Sequence, residues 1–235
     1  LKILRRSKYL IFFFKKNLLL IHLGMTGKFI LVKSRDFLKF EPGSYYNLNQ
    51  LNKHDHIYFN LSNGFTLIYN DIRKFGFLKI YKKIKLDDIN FLKNLGPEPL
   101  SNSFNVNYFQ KYIQNKTKNI KNLLMDQKFV SGLGNIYVNE SLFLSKIHPL
   151  KCCSKLKEKK INDLIYSIKK VLNLSISRGG SSIRNFKNAE NNKGYFQQLF
   201  NVYGNESEKC TRHTCDGIVK RLLISNRSCF YCNKC

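Results

Sequence analysis

Five of the seven cysteines crowd the last 26 residues, and their spacing is that of a metal site. Cys232-Asn233-Lys234-Cys235 leaves two residues between thiols, so both can face one cation from a tight turn, and Cys210 with Cys215 offers a second pair with four residues between. Sixteen residues, a strand-length spacer, separate Cys215 from Cys232. Two close pairs joined in this way are the pattern of a structural four-cysteine zinc ribbon, closed to catalysis because the protein fills all four positions. Cys229 and His213 also lie within reach, and either could replace Cys210; Cys229, three residues before Cys232, is expected to point away on a strand. The segment from about Asn205 to Cys235 is too small to fold on an apolar core alone, so one structural zinc per chain is expected.

A second pattern with chemical use is Gly132-Leu133-Gly134-Asn135, a glycine-rich turn entering a helix at Ile136. Backbone N–H groups exposed there can hold a phosphate, or Asn135 can simply cap the helix. The charge balance favours a polyanion: 41 Lys and Arg against 15 Asp and Glu give a net +26. Cations in such excess gain affinity by releasing counterions from nucleic acid or an anionic surface. Translation of an AT-rich genome would enrich Lys as well, together with the Asn, Ile and Phe seen here. At 43% hydrophobic and 14% aromatic, the chain can build a core, which excludes a disordered basic tail.

The most apolar stretch, Tyr9 to Leu23, is broken by Lys15, Lys16 and Asn17, so a spanning helix is excluded there. Neither is Leu1 to Arg6 a signal peptide. An odd number of cysteines, clustered at one end, suits a reducing, cytosolic compartment.

The elements that must position these residues follow from periodicity. Residues 9–14 and 18–22 read as a hairpin around Lys15-Lys16-Asn17, and Lys28 to Lys33, His56 to Leu61, Phe65 to Asn70 and Phe77 to Tyr81 continue the strand pattern. Ser62-Asn63-Gly64 supplies a further hairpin turn. The prolines of Leu95-Gly96-Pro97-Glu98-Pro99 forbid regular structure and mark a linker. From Lys155 to Ile176, the residues Ile161, Leu164, Ile165, Ile168, Val171 and Leu172 recur at helical spacing, predicting a core helix with a basic back. Three domains are expected, over residues 1–94, 95–204 and 205–235.

On its ordered motifs the chain resembles formamidopyrimidine-DNA glycosylases. The strings are Arg5-Arg6-Ser7-Lys8-Tyr9-Leu10, His22-Leu23-Gly24-Met25-Thr26-Gly27, His54-Asp55-His56, Asn70-Asp71-Ile72-Arg73-Lys74-Phe75-Gly76 and Leu95 to Leu100, followed by Leu124-Met125-Asp126-Gln127, Gly132 to Tyr137, Asn139 to Phe143, Gly179-Gly180, Gly194-Tyr195-Phe196, Val202-Tyr203-Gly204 and the terminal cysteines. The resemblance implies an α+β fold: an N-terminal β-sandwich (here incomplete), a helical helix-two-turns-helix domain, and a C-terminal zinc ribbon, with DNA gripped between them. It implies a monomeric, bacterial, nucleoid-associated repair enzyme that takes oxidised purines from double-stranded DNA and nicks the strand by β,δ-elimination, without a membrane partner.

Residue by residue, the resemblance makes Met25, Arg73 and Phe75 the trio that fills the void left by an everted base. It makes His54, Lys116, Lys121 and Asn135 contacts to the DNA backbone. Lys8 falls where a lysine holds the phosphate beside the lesion and moves protons in β-elimination; Arg227 falls where a finger arginine grips the flipped nucleotide and serves δ-elimination. Gly179 to Ser182 and Lys187 to Lys193 match the loop that closes over the everted purine.

The family attacks the sugar with an N-terminal proline, beside a glutamate, and residues 1–4 supply neither, so about fifty N-terminal residues of the pattern are expected to be missing. A polypeptide beginning at Leu1 is expected to have no glycosylase activity. Smaller departures are Ile72 for the usual proline, Lys74 for arginine, and the four-residue gap between Cys210 and Cys215. Three other readings compete: a non-catalytic duplex-binding remnant, an endonuclease VIII-like enzyme for oxidised pyrimidines, and an RNA-binding zinc ribbon. The trio argues against the second, and the ordered motifs against the third.

Overall fold

The computed structural model describes residues 2–33, 53–82, 85–181 and 194–235. Ser182 and Lys187 to Lys193, assigned above to a closing loop, lie outside the described residues. Backbone contacts group the chain into two compact units: Leu1–Arg5, Tyr9–Lys83 and Gly179–Gln197 form one, and Arg6–Lys8, Ile84–Arg178 and Gln198–Cys235 form the other.

The first unit carries two antiparallel sheets. Strands β1 (Lys2–Arg6), β2 (Tyr9–Phe13), β3 (Asn17–His22) and β7 (Phe77–Lys82) make a sheet in the order β1-β2-β3-β7, and β4 (Lys28–Lys33), β5 (Asp55–Asn60) and β6 (Phe65–Asn70) make a second in the order β4-β6-β5. The expected hairpin over residues 9–22 is present, and Gly64 at φ +78° turns the chain between β5 and β6. Leu18 to Ile21 of β3 are all buried, which explains why that strand is apolar at every position rather than at alternate ones. Phe12 stacks on Phe29 across the two sheets at 6.3 Å between centroids.

Strand register decides where the loops fall. His22 at the end of β3 pairs with Phe77 at the start of β7, and Lys28 at the start of β4 pairs with Asn70 at the end of β6. The chain therefore crosses from one sheet to the other twice at the same end, through residues 23–27 and again through residues 71–76. Met25 rides on the first crossing, Arg73 and Phe75 on the second.

The second unit is built on helices α1 (Val106–Ile113), α2 (Ile120–Met125), α3 (Asn135–Leu144) and α4 (Glu158–Ser177), followed by the hairpin of β8 (Val219–Ile224) and β9 (Arg227–Cys232). Asn105 and Asn119 cap α1 and α2 with their side-chain oxygens. Ile161, Leu164, Ile165, Ile168 and Val171 of α4 are buried as their spacing predicts. They join a core in which Phe129 meets Phe109 edge-on at 4.9 Å and stacks on Tyr108 at 5.8 Å. The hairpin turns through Ser225 and Asn226, both at positive φ, the geometry that suits the twist of a tight two-residue turn.

Candidate nucleic-acid interface and metal centre

In the first unit, Met25, Arg73 and Phe75 form one exposed cluster. Met25 is 73% and Phe75 58% exposed, far from the core positions their types would suit. The Arg73 guanidinium stacks over the Phe75 ring at 4.4 Å, and its Nη1 donates to Met25 Sδ at 3.4 Å. An aromatic ring, a thioether and a guanidinium on one tip can enter a base stack and still offer planar donors to a base edge.

Beneath the tip lies Asp71, fully buried. Its Oδ1 accepts from the Thr26 hydroxyl at 2.5 Å and the Arg73 N–H at 3.3 Å, and its Oδ2 from the Gly76 N–H at 2.8 Å and the Tyr69 hydroxyl at 3.1 Å. Burial opposes the charge, but these four donors together hold the carboxyl below its ordinary range. Burial, with the Asp71 carboxylate beside it, pushes the Tyr69 hydroxyl up in turn. His54, a half-buried residue, accepts the Asp71 N–H on its carbonyl at 3.0 Å, and the His56 ring contacts the Asp71 carbonyl at 2.8 Å. Glycines permit the close approach: a Cβ on Gly24, at φ +63°, would lie 2.7 Å from Gly76 N.

A cationic cluster forms in the second unit. Lys121 on α2, only 1% exposed, donates to Asn135 Oδ1 at 2.6 Å, and Asn135 Nδ2 donates to the Ser228 carbonyl of β9 at 2.9 Å. Asn135 is the first residue of α3 rather than its cap; Gly134 takes that position with no side-chain bond, which leaves the Asn135 amide to join α2, α3 and the hairpin. Burial, reinforced by the Arg227 guanidinium and opposed by Cys229, lowers Lys121 to about 8. Lys8 sits alongside, its Nζ 3.9 Å from where a Cβ on Gly134 would be. Although Lys8 is exposed as a residue, loss of water around its amine, and then Arg227, lower it too. Lys116 lies apart from these groups in the contacts it makes, its Nζ over the Tyr112 ring at 4.7 Å.

What fixes Lys8 is a clamp on the two residues before it. The Arg6 guanidinium donates to Glu98, Ser131 and the carbonyls of Leu95 and Gly96 at 2.7–3.1 Å, and the Ser7 N–H donates to Glu98 Oε1 at 2.6 Å. Gln127 Oε1 accepts from Gly132 N–H at 2.7 Å and from the Ser7 hydroxyl at 3.4 Å, tying the glycine-rich turn to the same strip.

The four cysteines named from spacing converge. The sulfurs of Cys210, Cys215, Cys232 and Cys235 all lie within 4.8 Å of one another, and the Cys210–Cys235 and Cys215–Cys232 pairs are 3.7 Å apart. A tetrahedron with sulfurs at about 2.3 Å from its centre has edges of about 3.8 Å, so this group can hold a metal ion. Among the described residues it is the one such group; Cys229 and His213 are not members. Cys229 is buried one strand position away from Ser228, beside Lys121. A Cβ on Gly217 would lie 2.6 Å from Cys232 Sγ, so the turn there requires glycine.

Sequence reasoning missed the groups that position others: Thr26, Tyr69 and Asp71 under the tip, Arg6, Glu98 and Gln127 around Lys8, and Glu140. The Glu140 carboxylate, 1% exposed, accepts four hydrogen bonds from Asn201, Val202 and Tyr203 at 2.9–3.0 Å. All but Tyr69 stood within the ordered strings, but what each holds is decided by pairings such as Thr26–Asp71, Arg6–Glu98 and Glu140–Asn201, which join residues far apart in sequence.

Comparison with known proteins matches both parts of the chain. Residues 1–78 match the formamidopyrimidine-DNA glycosylase N-terminal domain, and residues 95–187 the H2TH domain of the same enzymes. Formamidopyrimidine-DNA glycosylase of Rickettsia bellii is 42% identical over 232 residues, covering 98% of this chain and 79% of that protein; the Roseobacter denitrificans enzyme is 39% identical over 234 residues, covering 98% and 80%. Among solved structures, a Lactococcus lactis Fpg variant in complex with Fapy-dG-containing DNA aligns with a TM-score of 0.84 at 35% identity, and the Lactococcus lactis Fpg complex with abasic-site DNA with 0.83 at 35%. Each covers 98% of this chain and 79% of its own. With both family domains matched in order and relatives about 40% identical over nearly the whole chain, the chain belongs to the formamidopyrimidine-DNA glycosylase family.

Proposed function

We propose that this chain supplies the DNA-recognition and elimination groups of a base-excision glycosylase that, in a form carrying the family's nucleophilic proline and glutamate, removes oxidised purines such as 8-oxoguanine and formamidopyrimidines from double-stranded DNA and nicks the strand by β,δ-elimination as an AP lyase. The exposed Met25–Arg73–Phe75 cluster is the observation that carries the reading. A soluble face gains nothing from holding a methionine and a phenylalanine outward against an arginine, whereas a void in a base stack is filled by such groups. Arg73 offers its donors to the base left unpaired, and Met25 and Phe75 replace lost stacking. Lys8, His54, Lys116, Lys121 and Asn135 hold the backbone, with Arg227 on the phosphates of the displaced nucleotide. The lowered Lys8 and Arg227 beside it suit proton transfer during elimination. A zinc ion on Cys210, Cys215, Cys232 and Cys235 holds the hairpin that carries Arg227. The relatives support this assignment, since Lactococcus lactis Fpg has been solved with Fapy-dG DNA and with abasic-site DNA.

The test is binding at fixed salt to four probes: a duplex with tetrahydrofuran opposite cytosine, one with 8-oxoguanine opposite cytosine, the undamaged duplex, and duplex RNA. The tetrahydrofuran duplex is expected to bind at least about tenfold more tightly than the undamaged one, and Phe75→Ala or Met25→Ala to lose most of that preference. Equal affinity for all four probes would overturn the reading.

A further inference from the structure

The trio comes from two crossings whose Thr26 and Asp71 are 45 residues apart in the chain, and side-chain contact alone does not keep two loops aligned. Thr26 and Asp71 provide the tie. The Thr26 hydroxyl donates to Asp71 Oδ1 and accepts from the Arg73 N–H at 3.1 Å, so a residue next to Met25 is bonded directly to the backbone that bears Arg73. Asp71 then bonds the Arg73 and Gly76 N–H groups on either side of Phe75. Each loop is also closed on itself: the Gly27 N–H donates to the Leu23 carbonyl at 2.9 Å, and Lys74 takes a left-handed conformation at φ +56°. Two preformed turns are thereby fixed against each other through one hydroxyl and one carboxylate.

We propose that Thr26 and Asp71 are positioning residues that hold the two loops in register, so that Met25, Arg73 and Phe75 enter a duplex as one preassembled wedge. The inference rests on the wedge reading above and deepens it. Three exposed side chains ordered separately would each lose rotamer freedom on insertion; aligned beforehand, they lose less. The alignment is narrow, because a slip of about 1 Å between the loops breaks the Arg73–Met25 contact and parts Met25 from the Arg73–Phe75 stack on the other loop. Two carboxylate oxygens suit the task, since they accept all four donors, whereas an amide would turn one of its own donors toward them.

The experiment compares Thr26→Val, which keeps the shape and removes both bonds of the hydroxyl, with Thr26→Ser, which keeps the hydroxyl. The readout is the affinity ratio of the tetrahydrofuran:cytosine duplex to the undamaged duplex, with 2-aminopurine opposite or beside the site reporting unstacking and a thermal melt reporting the fold. Thr26→Val is expected to lower the ratio about tenfold with weaker 2-aminopurine signal, and Thr26→Ser to restore both. A merely structural role would lower the melting temperature and move both affinities together. A Thr26→Val chain with the wild-type ratio, or a Thr26→Ser chain as impaired as Thr26→Val, overturns the inference. Should Thr26→Val fail to fold, Thr26→Ala removes the same two bonds without added bulk and decides instead: a several-fold lower ratio supports the tie, an unchanged one overturns it. If Phe75→Ala and Met25→Ala also leave the ratio unchanged, the wedge reading itself has failed; if they lower it while Thr26→Val does not, only the present inference has.

Discussion

Burying the Lys121 ammonium costs free energy that one hydrogen bond to Asn135 offsets only in part. With a folded pKa of about 8 against an ordinary 10.5, the folded chain sheds this proton before the unfolded chain does. The destabilisation is therefore complete below pH 8, and stability rises with pH between about 8 and 10.5. The shift corresponds to about 3 kcal/mol, of which the lost bond to Asn135 would return about 1. Lys121→Met is accordingly expected to melt about 2–6 °C higher at pH 7, and to flatten the rise in stability at alkaline pH. The same variant is expected to bind duplex DNA about tenfold more weakly, because a phosphate loses its cation. Thermal melts at pH 7 and 9.5, beside fluorescence anisotropy, separate the two effects; a variant that melts lower and binds normally would show Lys121 to be a structural residue.

Whole elements were easier to read than the ties between them. The strands and the α4 stripe follow from periods of two and of 3.6, which a sequence displays directly. The cysteines were legible for the same reason, since ligand spacing is local. Asp71 was not, because its value lies in four donors that strand register brings together from Thr26 to Gly76. Nor was Leu95–Pro99, read as a linker: its prolines do exclude helix and strand, but the free carbonyls they leave are what the Arg6 guanidinium bonds. Glu140 gives the sharpest case at this scale. Its four hydrogen bonds hold residues 201–203 against α3, and Val202 shares a buried cluster with Phe143, Cys210 and Cys232. Glu140→Gln turns a donor group toward an N–H in a site almost fully buried from solvent. A loss of about 2–4 kcal/mol is expected, read as a fall in the melting midpoint with the four cysteines still able to bind one metal ion. An unchanged midpoint would mean that the carboxylate contributes nothing to holding the finger on the helix.

At the scale of the molecule, a charge of +26 poses the question of which cations the duplex uses and which merely accompany the composition. Several are already committed: Lys160 Nζ donates to the Ser145 carbonyl at 3.0 Å, Lys169 Nζ to the Ser101 carbonyl at 3.3 Å, and Arg212 to the carbonyls of Phe143 and Leu144. Lys146 and Lys170 line a cavity with Lys160 and Arg212 at the C-terminal end of α3. Lys121 meets Asn135 at the other end of that helix, ten residues and so about 15 Å away. That exceeds the screening length of about 8 Å at physiological salt, so the two groups of cations act independently. Each phosphate neutralised adds about 0.9 to the slope of log affinity against log salt. Lys116→Gln and Lys121→Met are each expected to lower the slope by about one, and Lys146→Gln with Lys170→Gln to leave it within about a quarter of a unit. Equal losses from both pairs would mean that the duplex senses net charge alone, and that no discrete row of phosphate contacts exists on this chain.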